Sequence, residues 1–204
     1  MNPNAMMNPF RNWFCLPLLA VAACSAQPEQ PPLQDAPLYG SAIKGAFELV
    51  GQDGKTVRFS DFDGKFRIVY FGYAYCPDIC PTDVGRMVSG LKSYREKFPE
   101  LGKNIQPMFI SIDPARDTPK VLREFTANFS DDLIGLTGSD KQIKQAAANF
   151  FVQYSRGEEG EGGGYLMDHS TITYLFGPKG EALATLPTDQ GPQAVEAELE
   201  KWVR

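Results

Sequence analysis

The residues Arg67-Ile-Val-Tyr-Phe-Gly-Tyr73, followed by Cys76-Pro-Asp-Ile-Cys80, decide the fold of this chain. The apolar run is typical of a strand that is buried on both faces. Pro77 stiffens the turn between the cysteines, and Pro81 suits the first position of a helix, where its missing N–H costs nothing. We therefore expect a buried strand, a short loop that carries Cys76, and a helix that begins next to Cys80.

The two thiols at this boundary indicate sulfur chemistry. A thiolate is both the nucleophile of disulfide exchange and a soft ligand for Cu(I), and the positive end of a helix dipole favours the ionised form. Cys76 and Cys80 can therefore act as a redox pair or as metal ligands. Asp78 between them can tune the basicity of the thiolates or contact a partner, but a Pro-Asp pair is also common in turns, and the sequence favours neither reading.

Composition bounds the domain count and excludes one class of partner. The chain has 204 residues, of which 43% are hydrophobic and 22% charged, and this suffices for one domain with a full core. The net charge of −5 and the pI near 5.0 argue against a nucleic-acid-binding surface. We expect no nucleic-acid partner.

The N-terminus has the pattern of a targeting segment. Arg11 precedes the apolar stretch 13–23, which is too short to span a bilayer of roughly 30 Å. Residues 1–23 are therefore predicted to be a signal peptide. Its end, Val21-Ala-Ala-Cys24, resembles a bacterial lipobox, so we expect Cys24 to carry lipid; cleavage at an ordinary small-residue site is the alternative.

The cysteine count and the segment after Cys24 support an extracytoplasmic, membrane-anchored protein. Of the four cysteines, Cys15 would leave with the signal peptide, and the mature domain would keep Cys76 and Cys80 as its free pair. Residues 24–38 then read as the lipidated cysteine and a proline-rich tether. A tether of this length could extend roughly 40 Å from the membrane. We expect the domain at 39–204 to face the periplasm.

Strand and helix signals alternate through that domain. An early hairpin is predicted around the turn at 51–54. Further strands are predicted at 67–73, 105–112, 151–154, 171–176 and 181–186, and helices at 81–98, 118–129, 141–150 and 193–203. The glycine-rich stretch 158–164 is predicted to be a mobile loop. The pattern favours an α/β domain of the thioredoxin-like type, with a central mixed sheet flanked by helices and an N-terminal hairpin.

His169 is the one histidine in the chain, and it is the candidate third ligand. A lone histidine is more often a packed or surface residue, but two thiolates and one imidazole form a three-coordinate site that suits Cu(I). Asp168 is expected to hold the His169 ring in the orientation for metal binding without itself contacting the metal. Met167 could be a soft ligand, but alternation along 165–169 makes it a core residue.

Four segments together resemble the Sco/SenC family of copper-handling proteins. They are 71–82 around the cysteines, Ser111-Ile-Asp-Pro-Ala-Arg-Asp-Thr-Pro119, Ile134-Gly-Leu-Thr-Gly138, and Asp168-His-Ser170 followed by Tyr174-Leu175. The resemblance covers about residues 40–200. Many members have Thr-His before the first cysteine, where this chain has Ala74-Tyr75.

The resemblance implies a thioredoxin-like fold and a copper site. It implies that Cys76, Cys80 and His169 bind copper, as Cu(I) or Cu(II), for assembly of the CuA centre of cytochrome c oxidase. The implied partners are the CuA-bearing oxidase subunit, other periplasmic copper chaperones or thiol reductants, and the membrane through the lipid anchor. Asp113, Arg116 and Asp117 are expected only to shape the entry to the following helix.

Two other functions use the same thiols. A thiol–disulfide reductase acting on the CuA cysteines or other envelope thiols would need Cys76 and Cys80 but not His169. A peroxidase is weakly suggested by Cys80-Pro-Thr-Asp83, which resembles the peroxidatic segment of peroxiredoxins. That segment usually has threonine three residues before the cysteine, where this chain has Pro77, so peroxidase activity ranks last.

Overall fold

The computed structural model describes residues 30–160 and 163–204. The signal-peptide prediction for 1–23 and the lipidation prediction for Cys24 lie outside these residues. Within them, no helix is long and apolar enough to cross a bilayer.

Nine strands and five helices alternate along the described chain. In chain order they are β1 Glu48–Gly51, β2 Thr56–Arg58, β3 Phe66–Gly72, α1 Ile79–Lys97, α2 Pro99–Gly102, β4 Ile105–Ser111, α3 Pro119–Thr126, β5 Ile134–Thr137, α4 Asp140–Asn149, β6 Tyr154–Glu159, β7 Tyr165–His169, β8 Thr173–Phe176, β9 Ala182–Leu186 and α5 Pro192–Trp202. Short 3-10 turns lie at Leu33–Asp35, Phe59–Phe62 and Thr188–Gln190.

Seven of the strands form one mixed sheet in the order β2-β1-β5-β4-β3-β8-β9. The β3–β4 and β4–β5 pairs are parallel, and the other pairs are antiparallel. Helices flank the sheet, so the predicted thioredoxin-like α/β class and the N-terminal hairpin, β1–β2, are confirmed.

The central strand β3 anchors the core. All seven of its residues are buried, as the apolar run predicted, because β4 and β8 cover its edges and helices cover its faces. Its one charged residue, Arg67, donates a hydrogen bond to the Gly177 carbonyl (2.9 Å) and pairs with Asp63 (2.6 Å). This pairing lets a guanidinium lie inside the core.

Two sequence predictions need correction, and one strand, β5, was not predicted. The helix at the cysteines starts at Ile79, so Pro81 is its third residue and not its first, as predicted. Proline is tolerated there because the N–H groups of the first turn have no partners within the helix. The strand predicted at 151–154 is instead β6, which pairs with β7 as a separate hairpin, and the glycine-rich stretch is its connection. The strand β5 is too short for its periodicity to be read from sequence.

The described part of the proline-rich segment lies against the domain. The Gln30 side chain donates to the backbone oxygens of Glu200 (2.5 Å) and Val203 (3.1 Å). The Leu38 amide donates to the Leu183 carbonyl (2.9 Å), and Ala36 is buried. Residues 30–38 thus dock on the domain, and only 25–29 of the expected tether lie outside the described residues.

Candidate metal centre

The cysteine pair lies where β3 ends and α1 begins. Cys76 is in the connecting loop and 9% exposed, whereas Cys80 is in the first turn of α1 and fully buried. The Cys80 amide donates a hydrogen bond to the Cys76 sulfur (3.3 Å), and no disulfide joins these two cysteines in the structure. Gly72 makes room for this arrangement, because a Cβ there would lie 3.0 Å from the Cys80 sulfur.

His169 ends β7 and meets Cys80 across the site. Its Nε2 lies 3.3 Å from the Cys80 sulfur. Its Nδ1 lies 3.0 Å from the Ser170 carbonyl oxygen, which can only accept, so Nδ1 carries the proton and donates it. The lone pair of Nε2 therefore points towards the cysteines, in the tautomer that a metal ligand requires.

Aromatic rings enclose the contact between Cys80 and His169. The centroids of the Tyr70 and Tyr73 rings lie 6.2 and 6.1 Å from that of the imidazole, each nearly perpendicular to it. Burial lowers the pKa of His169 and raises the pKa of Cys80. Both groups are therefore held in their neutral forms, and metal binding at Cys80 would release a proton.

A buried carboxyl behind the thiols was missed by sequence reasoning. Asp83 on α1 accepts a hydrogen bond from the Tyr70 hydroxyl (3.3 Å), and burial raises the pKa of both groups. In the sequence, Asp83 has the pattern of an ordinary first-turn acidic residue. Only the tertiary structure places it under Tyr70.

Two predicted supporting residues lie away from the thiols. The Asp78 side chain is exposed, and only its backbone oxygen is used locally, accepting from the Thr82 hydroxyl (2.9 Å). Asp168 is exposed because side chains alternate along β7, with Met167 and His169 facing the domain. Among the described residues the Ser170 carbonyl, and not the Asp168 carboxylate, bonds the imidazole.

The loop after β4 was expected only to shape the entry to the following helix, but it also contacts the cysteine loop and β7. Asp117 is buried, and its Oδ2 accepts hydrogen bonds from the Ser111 hydroxyl (2.6 Å) and the Ala74 amide (3.0 Å), just before Cys76. Asp113 is also buried, and it binds Arg116 and the Tyr165 hydroxyl. Thr118 caps the following helix, because its side-chain oxygen accepts a hydrogen bond from the Val121 amide (3.3 Å).

The contact between Cys80 and His169 is close to the spacing of two ligands on one metal ion. Among the residues that the structure describes, no group of three or more histidine, cysteine, aspartate or glutamate side chains is already arranged as a metal site. A metal bonded to one sulfur and one imidazole nitrogen holds those atoms about 3.6 to 3.8 Å apart. Cys80 and His169 need to separate by only a few tenths of an ångström, and Cys76 lies against the Cys80 amide.

The fold and site together define a thioredoxin-like protein with a dithiol and an opposing histidine. The chain belongs to the SCO1/SenC family, whose model matches residues 35–204. It is 42% identical over 153 residues to Protein SenC of Rhodobacter capsulatus, covering 75% of this chain and 67% of that protein. It is 40% identical over 148 residues to Protein SCO1 homolog 1, mitochondrial, of Arabidopsis thaliana, covering 72% of this chain and 43% of that longer protein.

A solved family structure supports the same assignment. The crystal structure of Arabidopsis thaliana ScoI with copper bound superposes with a TM-score of 0.73 at 34% identity, covering 78% of this chain and 97% of that chain. Sco proteins are copper-binding proteins involved in cytochrome c oxidase assembly. Three solved structures of the family, from Arabidopsis thaliana, Bradyrhizobium japonicum and yeast, have copper bound.

Proposed function

We propose that this protein binds copper through Cys76, Cys80 and His169 and delivers it to the CuA-bearing subunit of cytochrome c oxidase. The observation that carries the proposal is the contact between Cys80 Sγ and His169 Nε2, which joins residues 89 positions apart. The hydrogen bond from Nδ1 to the Ser170 carbonyl supports it, because it leaves Nε2 free to bind a metal.

The chemistry of this donor set favours Cu(I), with Cu(II) as a second state. Two thiolates supply the soft ligands, and the neutral imidazole supplies a borderline third ligand. A three-coordinate ion leaves room for an incoming ligand from a recipient protein. Copper can then pass by stepwise ligand exchange, with His169 as the ligand that leaves without breaking the thiolate pair.

Copper stoichiometry and retention test the proposal. The purified reduced chain should bind about one Cu(I), and His169→Ala should speed copper loss to a competing chelator by at least about 10-fold, since losing even a partner of a ligand costs 10–100-fold. Cys76→Ser and Cys80→Ser should each abolish tight binding. Asp168→Ala is the matched control, because this exposed neighbour points away from the site.

The controls also define failure. If His169→Ala retains copper as the wild type does and still supports oxidase assembly, the three-ligand mechanism is incorrect. If Asp168→Ala weakens binding as much as His169→Ala, the effect comes from disturbing β7 and not from losing a ligand.

A thiol–disulfide reductase is the second candidate, favoured by the hydrogen bond from the Cys80 amide to the Cys76 sulfur. Cys76, the more exposed of the two sulfurs, would attack a partner disulfide as the thiolate and release one partner thiolate. Cys80 would then attack Cys76, form the internal disulfide and release the second partner thiol. In this function His169→Ala should leave the rate of reduction of a mixed-disulfide substrate unchanged.

Membrane attachment completes the proposal. A signal peptide at 1–23 and lipidation at Cys24 would anchor the domain on the extracytoplasmic side, near the oxidase and other periplasmic copper chaperones or thiol reductants. The sequence Val21-Ala-Ala-Cys24 supports this arrangement. Two or more acyl chains would hold the protein stably at the membrane.

A further inference from the structure

The two parts of the candidate site lie on different elements. The cysteines follow β3 in the main sheet, whereas His169 ends the hairpin β6–β7, which forms a separate two-stranded sheet. Among the described residues, no strand of the main sheet pairs with this hairpin. Its position relative to the cysteines must therefore depend on other contacts.

One cluster joins the start of β7 to the loop after β4. The Tyr165 hydroxyl donates to Asp113 Oδ1 (2.8 Å), and Arg116 Nη1 donates to the Tyr165 carbonyl (2.8 Å). The guanidinium carbon of Arg116 lies 3.6 Å from the centroid of the Tyr165 ring. Arg116 Nε also donates to Asp113 Oδ2, so each of the three residues contacts the other two.

The same loop also holds the cysteine side of the site. Asp117 follows Arg116 directly and accepts the Ala74 amide (3.0 Å) in the loop that carries Cys76. The Arg116 and Asp117 amides both donate to the Asp113 carbonyl, which makes 113–117 a compact turn. One turn therefore touches both the loop of the cysteines and the hairpin of the histidine.

We propose that Arg116, with Asp113 and Tyr165, is a positioning unit that fixes the hairpin so that His169 stays against the cysteines. Asp113 is only 3% exposed, so its bonds to Arg116 and Tyr165 are shielded from water. Holding the hairpin lowers the entropy cost of bringing in the third ligand. This inference rests on the proposed function, in which His169 is a copper ligand.

Arg156 provides a matched control on the same ring. Its guanidinium carbon lies 3.8 Å from the Tyr165 centroid, much as that of Arg116 does. Its polar partner, Glu159, belongs to β6, so Arg156 links the hairpin only to itself. Removing Arg156 takes away a similar stacking contact without cutting the link to the turn at 113–117.

The first measurement uses the copper-free chain. Arg116→Ala should increase amide hydrogen exchange in β7 by about 10-fold or more, the factor expected for losing one charge-assisted hydrogen bond. Arg116→Lys should rescue it only in part, because lysine lacks the planar fork that bonds two partners and stacks on the ring. Arg156→Ala should leave amide hydrogen exchange at 165–169 unchanged. Tyr165→Phe loses only the hydroxyl bond, so it should fold and increase exchange in β7 less than Arg116→Ala does.

The second measurement follows the rate of Cu(I) loss to a chelator. Arg116→Ala should speed loss towards the rate of His169→Ala, and combining both substitutions should add nothing further. If Arg116→Ala and Tyr165→Phe leave both exchange and copper loss at wild-type values, the positioning role is refuted. If exchange rises but His169→Ala itself has no effect on copper loss, the positioning of the hairpin stands and the proposed ligand role of His169 fails.

Discussion

Replacing Asp117 with asparagine should change the pH dependence of stability in a specific direction. The Asp117 carboxyl is buried, and its Oδ1 has no hydrogen-bond partner among the described residues. Burial raises the pKa of Asp117 from its ordinary value of 3.8 to about 6, although the Ser111 hydroxyl and the Ala74 amide bond its charged form. The folded protein therefore holds this proton more tightly than the unfolded chain does.

The sign and size of the effect follow from proton linkage. Below pH 3.8 the carboxyl is protonated in both states, and its contribution to stability is fully present. Between pH 3.8 and about 6 the unfolded chain loses the proton first, so the free energy of unfolding falls as the pH rises. The difference between 6 and 3.8, at about 1.4 kcal/mol per pH unit, gives a loss of about 3 kcal/mol.

Urea unfolding of the reduced, copper-free chain at a series of pH values measures this effect. Asp117→Asn keeps an oxygen that can accept the Ala74 amide and cannot ionise. The free energy of unfolding of Asp117→Asn minus that of the wild type should therefore rise by about 2.4 kcal/mol between pH 4 and pH 7, which is most of the full change. Subtracting the wild-type curve removes the titration of all other groups.

A second variant sharpens the test. The Ser111 hydroxyl lowers the pKa of Asp117 by bonding its charged form, so Ser111→Ala should move the transition to higher pH. A stability difference between Asp117→Asn and the wild type that does not change with pH would refute the reasoning. A difference that falls with rising pH would show that the folded state prefers the ionised carboxyl.

Three further outcomes are expected. Gly72→Ala should destabilise the fold by about 1–3 kcal/mol and weaken copper retention, because the new Cβ would lie 3.0 Å from the Cys80 sulfur. Urea unfolding measures the loss of stability. Gly85→Ala is the control, because its Cβ would lie 3.8 Å from its nearest neighbour. Mild oxidation should remove two hydrogens by joining Cys76 to Cys80, with reversal by dithiothreitol; intermolecular dimers alone would contradict this. Cys24→Ala should move the protein from the membrane to the soluble fraction, and firm retention at the membrane would disprove lipid anchoring.

Local patterns predicted the central elements well. The run at 67–73 predicted β3, because a strand buried on both faces carries its signal in its own residues. The hairpin β6–β7 could not be read in the same way, since its solvent-facing polar residues and glycine-rich connection resemble a loop. Its contacts with the rest of the domain, such as the stacking of Arg116 on Tyr165, join distant parts of the chain and leave no local pattern.

Residue type and alternation along the sequence could identify the candidate ligands, but not the groups that hold those ligands in place. The spacing of Cys76 and Cys80 indicates sulfur chemistry by itself, whereas His169 was singled out by its uniqueness and by the family resemblance. Alternation along β7, which predicts that Met167 faces the core, also predicts that Asp168 points outwards with respect to His169. The carbonyl that holds the imidazole belongs to a backbone position, and side-chain patterns carry no signal for it.

The burial of Cys80 favours metal transfer over thiol exchange as the main task of the pair. Full burial raises the pKa of Cys80, so at neutral pH it is a thiol and would attack a mixed disulfide at Cys76 slowly. Copper reverses this disadvantage, because a bound metal ion displaces the proton and stabilises the thiolate that burial opposes. The neutral Nε2 of His169, 3.3 Å away, is not required for disulfide exchange, whereas the proposed copper site uses it as the third ligand. The geometry around Cys80 therefore supports the proposed copper transfer more than the alternative of thiol–disulfide reduction.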